Sequence, residues 1–93
     1  MLKLSIVIPC YNEAGNISNL IKKLEPIQSK EVEIIIVDNG STDNTANVVK
    51  NILNEKQLFI KSISIDKNIG YGHGIMTGIK ETTGNVIAWT HAD

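Results

Sequence analysis

The sequence predicts an α/β fold, an open sheet of about four mainly parallel strands with helices on both faces, and three observations support this. Short apolar runs alternate with stretches of helical periodicity along the whole chain. The run Glu33-Ile34-Ile35-Ile36-Val37 is apolar without interruption, as in a parallel strand covered on both sides. Each apolar run gives way to polar, turn-forming residues rather than to a second strand, so the connections are crossovers through helices.

The first strand is Leu4 to Ile8, rich in β-branched residues and closed by Pro9, which lacks a ladder donor. Asn12-Glu13-Ala14-Gly15-Asn16 supplies turn and capping residues. Ile17, Leu20, Ile21 and Leu24 then recur at i, i+3, i+4 and i+7, the apolar stripe of a helix that ends near Pro26. The second strand, Glu33 to Val37, leads into Asp38-Asn39-Gly40. Ser41-Thr42-Asp43-Asn44-Thr45 offers several N-caps for a second helix, whose apolar side is Val48, Val49, Ile52 and Leu53. Phe59 to Ile65 is a third strand, more polar and therefore nearer an edge. After a turn at Asn68-Ile69-Gly70-Tyr71-Gly72, a third helix packs through Ile75 and Ile79 while Gly74 and Gly78 leave one face bare for close approach to the sheet. His73 opens this helix as a polar surface or cap residue. Val86 to Trp89 is the fourth strand, with Trp89 in the core.

At 93 residues the chain is one domain or a piece of one, with no room for a second. Its 9 basic and 10 acidic residues are scattered, without the basic stripe that nucleic acid requires, so nucleic acid is not an expected partner. Cys10 is the single cysteine, which rules out an intramolecular disulfide and fits a reducing cytoplasm. It reads as a small residue beneath a ligand, not as a nucleophile. The longest apolar runs are far too short to span a bilayer, and Met1-Leu2-Lys3 is not followed by the apolar stretch of a signal peptide.

Ligands of open parallel sheets bind outside the carboxyl ends of the strands, near the point where strand order reverses. Those ends carry Pro9-Cys10-Tyr11-Asn12-Glu13, Asp38-Asn39-Gly40-Ser41-Thr42-Asp43 and His91-Ala92-Asp93. An acid directly after a buried strand, as Asp38 is, can accept from a base N–H or ribose hydroxyls, and Gly40 permits a turn with positive φ. The plainer alternative is a strand-to-helix turn with its caps. Neither a phosphate loop nor a Gly-x-Gly-x-x-Gly fingerprint follows the first strand.

Along essentially its whole length the sequence resembles the family 2 glycosyltransferases, which have the Rossmann-like GT-A fold. Pro9-Cys10-Tyr11-Asn12-Glu13 is similar to that family's opening Pro-x-Tyr-Asn-Glu, and Val37-Asp38-Asn39-Gly40-Ser41-Thr42-Asp43-Asn44-Thr45 to its Val-Asp-Asp/Asn-Gly-Ser-x-Asp-x-Thr. Asn68-Ile69-Gly70 with Gly72, Gly74 and Gly78 resembles the Asn-x-Gly segment and the helix after it. Gly84 to Trp89 resembles the strand leading to the Asp-x-Asp motif. The resemblance implies that Pro9, Tyr11 and Glu13 border the nucleoside of a nucleotide-sugar donor, that Asp38 binds its base ahead of the turn at Gly40, and that Gly70 faces the ribose side.

The sequence departs from the family at His91-Ala92-Asp93, where Asp-Ala-Asp is usual. The resemblance then implies that Asp93 holds a divalent cation, Mn²⁺ or Mg²⁺, against the donor's phosphates. His91 would contact ribose or phosphate in place of an acid, at the cost of one negative charge. The implied activity is transfer of a sugar from a UDP-, GDP- or TDP-linked donor to an acceptor hydroxyl or lipid phosphate, in glycan or cell-wall biosynthesis. In the family the general base and the acceptor site lie beyond this motif. Residues 1–93 are thus expected to be the N-terminal, donor-binding half of such a domain and to transfer nothing alone, with any membrane association left to the full-length protein. The competing reading is a non-catalytic nucleotide-binding α/β module that self-associates into a homo-oligomer through the edge of the fourth strand. A nucleotidyltransferase is a weaker alternative, because the first strand leads to Tyr11-Asn12-Glu13 instead of a glycine-rich basic loop.

Overall fold

A computed structural model describes residues 4–55, 59–67, 70–82 and 86–89, with Tyr71 and residues 86–89 described by their backbone alone. The elements run β1 (Leu4–Cys10), α1 (Ile17–Leu24), β2 (Val32–Asn39), α2 (Thr45–Glu55), β3 (Ile60–Ile65), α3 (Tyr71–Lys80) and β4 (Val86–Trp89). The four strands form one sheet in the order β3-β2-β1-β4, and every pairing is parallel. The chain builds outward from β1 through β2 to β3 and then returns to the other side of β1. Strand order therefore reverses between β1 and β4, where such sheets hold their ligands.

Both central strands run longer than the apolar pattern alone predicts. β1 continues through Pro9 to Cys10, in register from Leu4 opposite Val32 to Cys10 opposite Asp38. Pro9 is tolerated for a geometric reason. The Leu4 N–H bonds the Glu31 carbonyl (2.8 Å) on the β2 side, and N–H directions alternate along a strand, so the position of Pro9 points toward β4. Among the described residues the β4 ladder runs from Leu4 to Val7, opposite Val86 to Trp89, and does not include Pro9. β2 likewise includes Asp38 and Asn39, because β3 stays paired with it as far as Asn39 opposite Ile65.

Period-two alternation splits β1 and β2 between two cores. On one face Ile8, Cys10, Ile34 and Ile36, with Ile60 of β3, meet Ile17, Ile21 and Leu24 of α1 and Val49 of α2. On the other, Val7, Ile35 and Val37 pack with Ile63 and Ile65 of β3 and Ile79 of α3. α3 lies very close to this face. A Cβ added at Gly78 would stand 2.3 Å from Val7 Cγ1 and 2.9 Å from Val37 Cγ2, so the backbone itself fills that space. The bare glycine face read from the sequence is a helix-to-sheet contact. At the opposite end of the sheet, Glu33 is buried beneath this face, accepting from Ser5 Oγ (2.6 Å) and pairing with Lys61 Nζ (3.5 Å).

β3 is an edge strand, as its polarity predicts, and starts at Ile60; Phe59 ahead of it is exposed. His73 is an exposed residue inside α3 and not its cap, since the helix begins after Gly70. The Trp89 side chain, Asn68-Ile69, Gly84-Asn85 and His91-Ala92-Asp93 lie outside the described residues.

Candidate functional site

The carboxyl ends of β1 and β2 are aligned by register, Cys10 opposite Asp38, so the loops that follow them leave the sheet side by side. Asp38 is buried at 6% exposure, and its Oδ1 accepts from the Ser41 N–H at 3.3 Å across the turn at Gly40, whose φ is 69°. A left-handed residue directly after a strand turns the chain sharply, and glycine adopts it without steric cost. Pro9 is buried beside this turn, and Tyr11 is 44% exposed at the mouth of the edge. Glu13 follows, its carboxylate accepting from Asn16 Nδ2 (2.9 Å) just ahead of α1.

The β1–α1 and β2–α2 loops are stitched together. Asn12 donates its N–H to Ser41 Oγ (2.9 Å), and its Oδ1 accepts from the backbone N–H groups of Thr42 (2.8 Å) and Asp43 (3.2 Å). The Glu13 N–H donates to Thr45 Oγ1 (2.9 Å) and the Ala14 N–H to Asp43 Oδ2 (3.4 Å). Asp43 Oδ1 in turn accepts both the N–H and the hydroxyl of Thr45 at the start of α2. The Thr45 hydroxyl bond, together with the backbone bonds, holds the Asp43 carboxyl below its ordinary range.

Gly70 forms the other wall. It precedes α3 at φ 130°, a conformation that residues with a Cβ rarely adopt, and its carbonyl accepts from the Gly74 N–H (3.2 Å) and from Asn39 Nδ2 (3.1 Å). Asn39 is 4% exposed and points to the α3 side, since its neighbour Asp38 takes the α1 side. Its Oδ1 has no partner among the described residues. The structure thus gathers Pro9, Tyr11, Glu13, Asp38 and Gly40 on one edge and brings Gly70 to it through Asn39. His91 and Asp93 are outside the described residues. Asn12 and Asn39 were not among the expected site residues. Their partners lie about 30 positions away, beyond any local pattern; the signals available were their places in the two resembling motifs and, for Asn12, asparagine's tolerance of left-handed turns.

Cys10 is buried, and its Sγ lies 3.8 Å from the Ile8 carbonyl. Burial, reinforced by the Asp38 and Glu13 carboxylates, pushes its thiol up to about 12, so it stays protonated at neutral pH and is no nucleophile. Among the described residues no group of three or more His, Cys, Asp or Glu side chains is arranged to hold a metal ion. Nor is any helix among them long and apolar enough to cross a membrane.

Comparison with known proteins agrees with this architecture. The family model described as glycosyl transferase family 2 matches residues 5–93. The mannosyltransferase PcManGT from Pyrobaculum calidifontis, solved with GDP-Man and Mn²⁺, superposes with a TM-score of 0.85 at 24% identity over 99% of this chain. TarS of S. aureus, as its 1-349 portion, superposes at 0.82 with 28% identity, again over 99% of this chain. Glucosyl-3-phosphoglycerate synthase from Mycobacterium tuberculosis, solved with Mn²⁺, UDP and glucosyl-3-phosphoglycerate, superposes at 0.76 with 24% identity over 99% of this chain and 34% of its own. The two relatives at 24% identity speak for the fold alone. The chain spans 28% of the length of the first two structures.

Proposed function

Because this chain belongs to glycosyl transferase family 2, we propose that its β1 and β2 carboxyl ends bind the nucleoside diphosphate of a nucleotide-sugar donor, whose sugar passes to an acceptor hydroxyl or lipid phosphate. The observation that carries this reading is the buried Asp38 of β2, register-paired with Cys10 beside Pro9 and Tyr11 at the carboxyl end of β1, the strand that borders the point where strand order reverses. Asp38 accepts from a base N–H, Tyr11 and Pro9 border the nucleoside, and Glu13 stands at the outer rim. The turn at Gly40 keeps the loop after Asp38 clear of the base. Gly70 closes the ribose side.

A divalent cation, Mn²⁺ or Mg²⁺, is part of the proposal. Bound, it would neutralise the diphosphate and stabilise it as a leaving group. Asp93 would hold it, with His91 against the ribose or phosphate. Both lie outside the described residues. The work of the described residues is binding and orientation. None of them is assigned as the general base, so residues 1–93 alone are proposed to bind a donor without turning it over. A self-associating module is the second reading; it rests on β4 standing at an edge of the sheet, and it predicts a dimer on sizing whether or not nucleotide is present.

The test is calorimetric titration with UDP, GDP and TDP, each with and without Mn²⁺. One of the three should bind, more tightly with metal. Asp38→Ala should weaken that binding about 10- to 100-fold, since a hydrogen bond to a charged acceptor is worth about 1.5–3 kcal/mol. Unchanged affinity in the variant would remove Asp38 from the site.

A further inference from the structure

Among the described residues, Asn12 is the non-glycine with a positive φ, 53°. Side chains with a Cβ avoid this region, and asparagine is one of the few that enter it. A residue held there needs surrounding bonds that fix it. Here they all come from one place. Asn12 Oδ1 accepts from the Thr42 N–H (2.8 Å), the Asp43 N–H (3.2 Å) and Thr42 Oγ1 (3.3 Å), while the Asn12 N–H donates to Ser41 Oγ (2.9 Å). Every one of these partners lies on the loop that follows Asp38. Along the chain, Asn12 sits between Tyr11 and Glu13. Its backbone therefore sets the directions of both, and its side chain references them to the Asp38 side of the pocket.

We propose that Asn12 is a positioning residue for nucleotide binding, a clamp that fixes the spacing of Tyr11 and Asp38 before any ligand arrives. The proposal rests on the reading that these two residues border the nucleoside. Its physical basis is pre-organisation: a loop already ordered in the free protein pays no ordering entropy on binding. The side chain needed is an acceptor short enough to reach backbone N–H groups from a left-handed residue. Aspartate keeps that acceptor. Glycine keeps the backbone conformation, even more easily, but has no acceptor. Comparing the two separates clamping from tolerance of positive φ.

The experiment titrates wild type, Asn12→Gly, Asn12→Asp and Asp38→Ala with UDP, GDP and TDP in the presence of Mn²⁺, alongside thermal melts and amide exchange at Thr42 and Asp43. Asn12→Gly should bind the preferred nucleotide roughly tenfold more weakly, the loss expected when hydrogen bonds of this kind are removed. Its melting midpoint should stay within about 2 °C, since Asn12 and Thr42 are exposed. Exchange at Thr42 and Asp43 should accelerate in the glycine variant and not in Asn12→Asp, whose affinity should stay within about threefold of wild type. Asn12→Gly binding as tightly as wild type, while Asp38→Ala does not, would overturn the clamp and leave the donor site standing. Wild type that binds none of the three would overturn the donor reading and the clamp with it. If Asn12→Gly loses its cooperative melt, the aspartate arm decides: retained affinity supports the clamp and a loss above tenfold overturns it.

Discussion

The two faces of the sheet are packed by opposite means. On the α1 and α2 side, Ile17, Ile21, Leu24 and Val49 stand between helix backbone and strand, so side-chain volume sets the separation. On the α3 side, Gly74 and Gly78 let the helix backbone itself meet Asn39, Val37 and Val7. The difference matters at the carboxyl edge. A helix held off by large side chains leaves height above the strands, and that height is filled by the stitched loops carrying Tyr11 and Glu13. A helix pressed onto the sheet brings Gly70, the residue just ahead of it, down to the level of Asn39. The proposed pocket lies between a tall wall made of loops and a low one made of backbone.

The contrast is broken most strongly by removing volume where volume sets the distance. Ile21 is 1% exposed in the α1 core, and Ile21→Ala should cost about 2–5 kcal/mol, the sum of lost transfer energy and a residual cavity. On the α3 face the expected sign is reversed, because there it is added volume that destabilises. Gly78→Ala must push the helix off Val7 and Val37, at about 1–3 kcal/mol for overpacking, less about 1 kcal/mol gained from alanine's helix propensity. Val7→Ala should rescue Gly78→Ala, giving a double mutant more stable than the sum of the single effects predicts. Urea unfolding of the three variants decides this. Additive losses, or a Gly78→Ala protein as stable as wild type, would mean that α3 is not in backbone contact with the sheet.

A milder version of the same contact sharpens it. A Cβ at Gly74 would come to 3.1 Å from the Asn39 amide, close but not prohibitive. Asn39 is tethered to Gly70 and can yield only a few tenths of an ångström before that bond lengthens. Gly74→Ala should therefore change stability by less than about 1 kcal/mol, the propensity gain roughly offsetting the crowding. Equal destabilisation by alanine at 74 and at 78 would show that the graded approach of α3 to the sheet is wrong.

This asymmetry was half legible in the sequence. The uninterrupted run at Ile34-Ile35-Ile36-Val37 announces a doubly covered parallel strand, and Gly74 and Gly78 at helical spacing announce a close contact, because both signals are local. Where the strands end was less clear: Pro9 looks like a terminator until its missing donor is seen to face away from β2, with which β1 stays paired as far as Cys10. For the site, Asp38 stands out because it directly follows an apolar run, and Tyr11 because its motif resembles the family's opening. The links that relate them do not, since Asn12 meets Thr42 and Asn39 meets Gly70 only after β1, β2 and α3 have been brought together. Nothing in the residues near Asn39 signals that its side chain reaches the start of α3.

The smallest expected effect tests whether the tall wall, unlike the glycine-built one, is sensitive to acid. Asp43 joins the two loops through Ala14 and Thr45, and its carboxyl is held below the ordinary 3.8 chiefly by the Thr45 hydroxyl bond. A carboxyl depressed in the folded state contributes stability that is present above its unfolded pKa and is lost as pH falls through the folded value. The latch should therefore be complete at pH 5 and release at or below about pH 3.8, the ordinary value from which Asp43 is lowered. Because Asp43 is exposed, the release should loosen the loops locally without unfolding the domain. Amide exchange at Ala14 and Thr45, corrected for intrinsic rates, should show a protection step in that range for wild type. Asp43→Asn keeps an acceptor but has no carboxyl to titrate, so its protection should vary smoothly. Gly74 on the α3 wall supplies the internal control, with no step in either protein. Matching profiles for wild type and Asp43→Asn would show that the Asp43 carboxyl is not the source of the acid response of these loops and would overturn the latch.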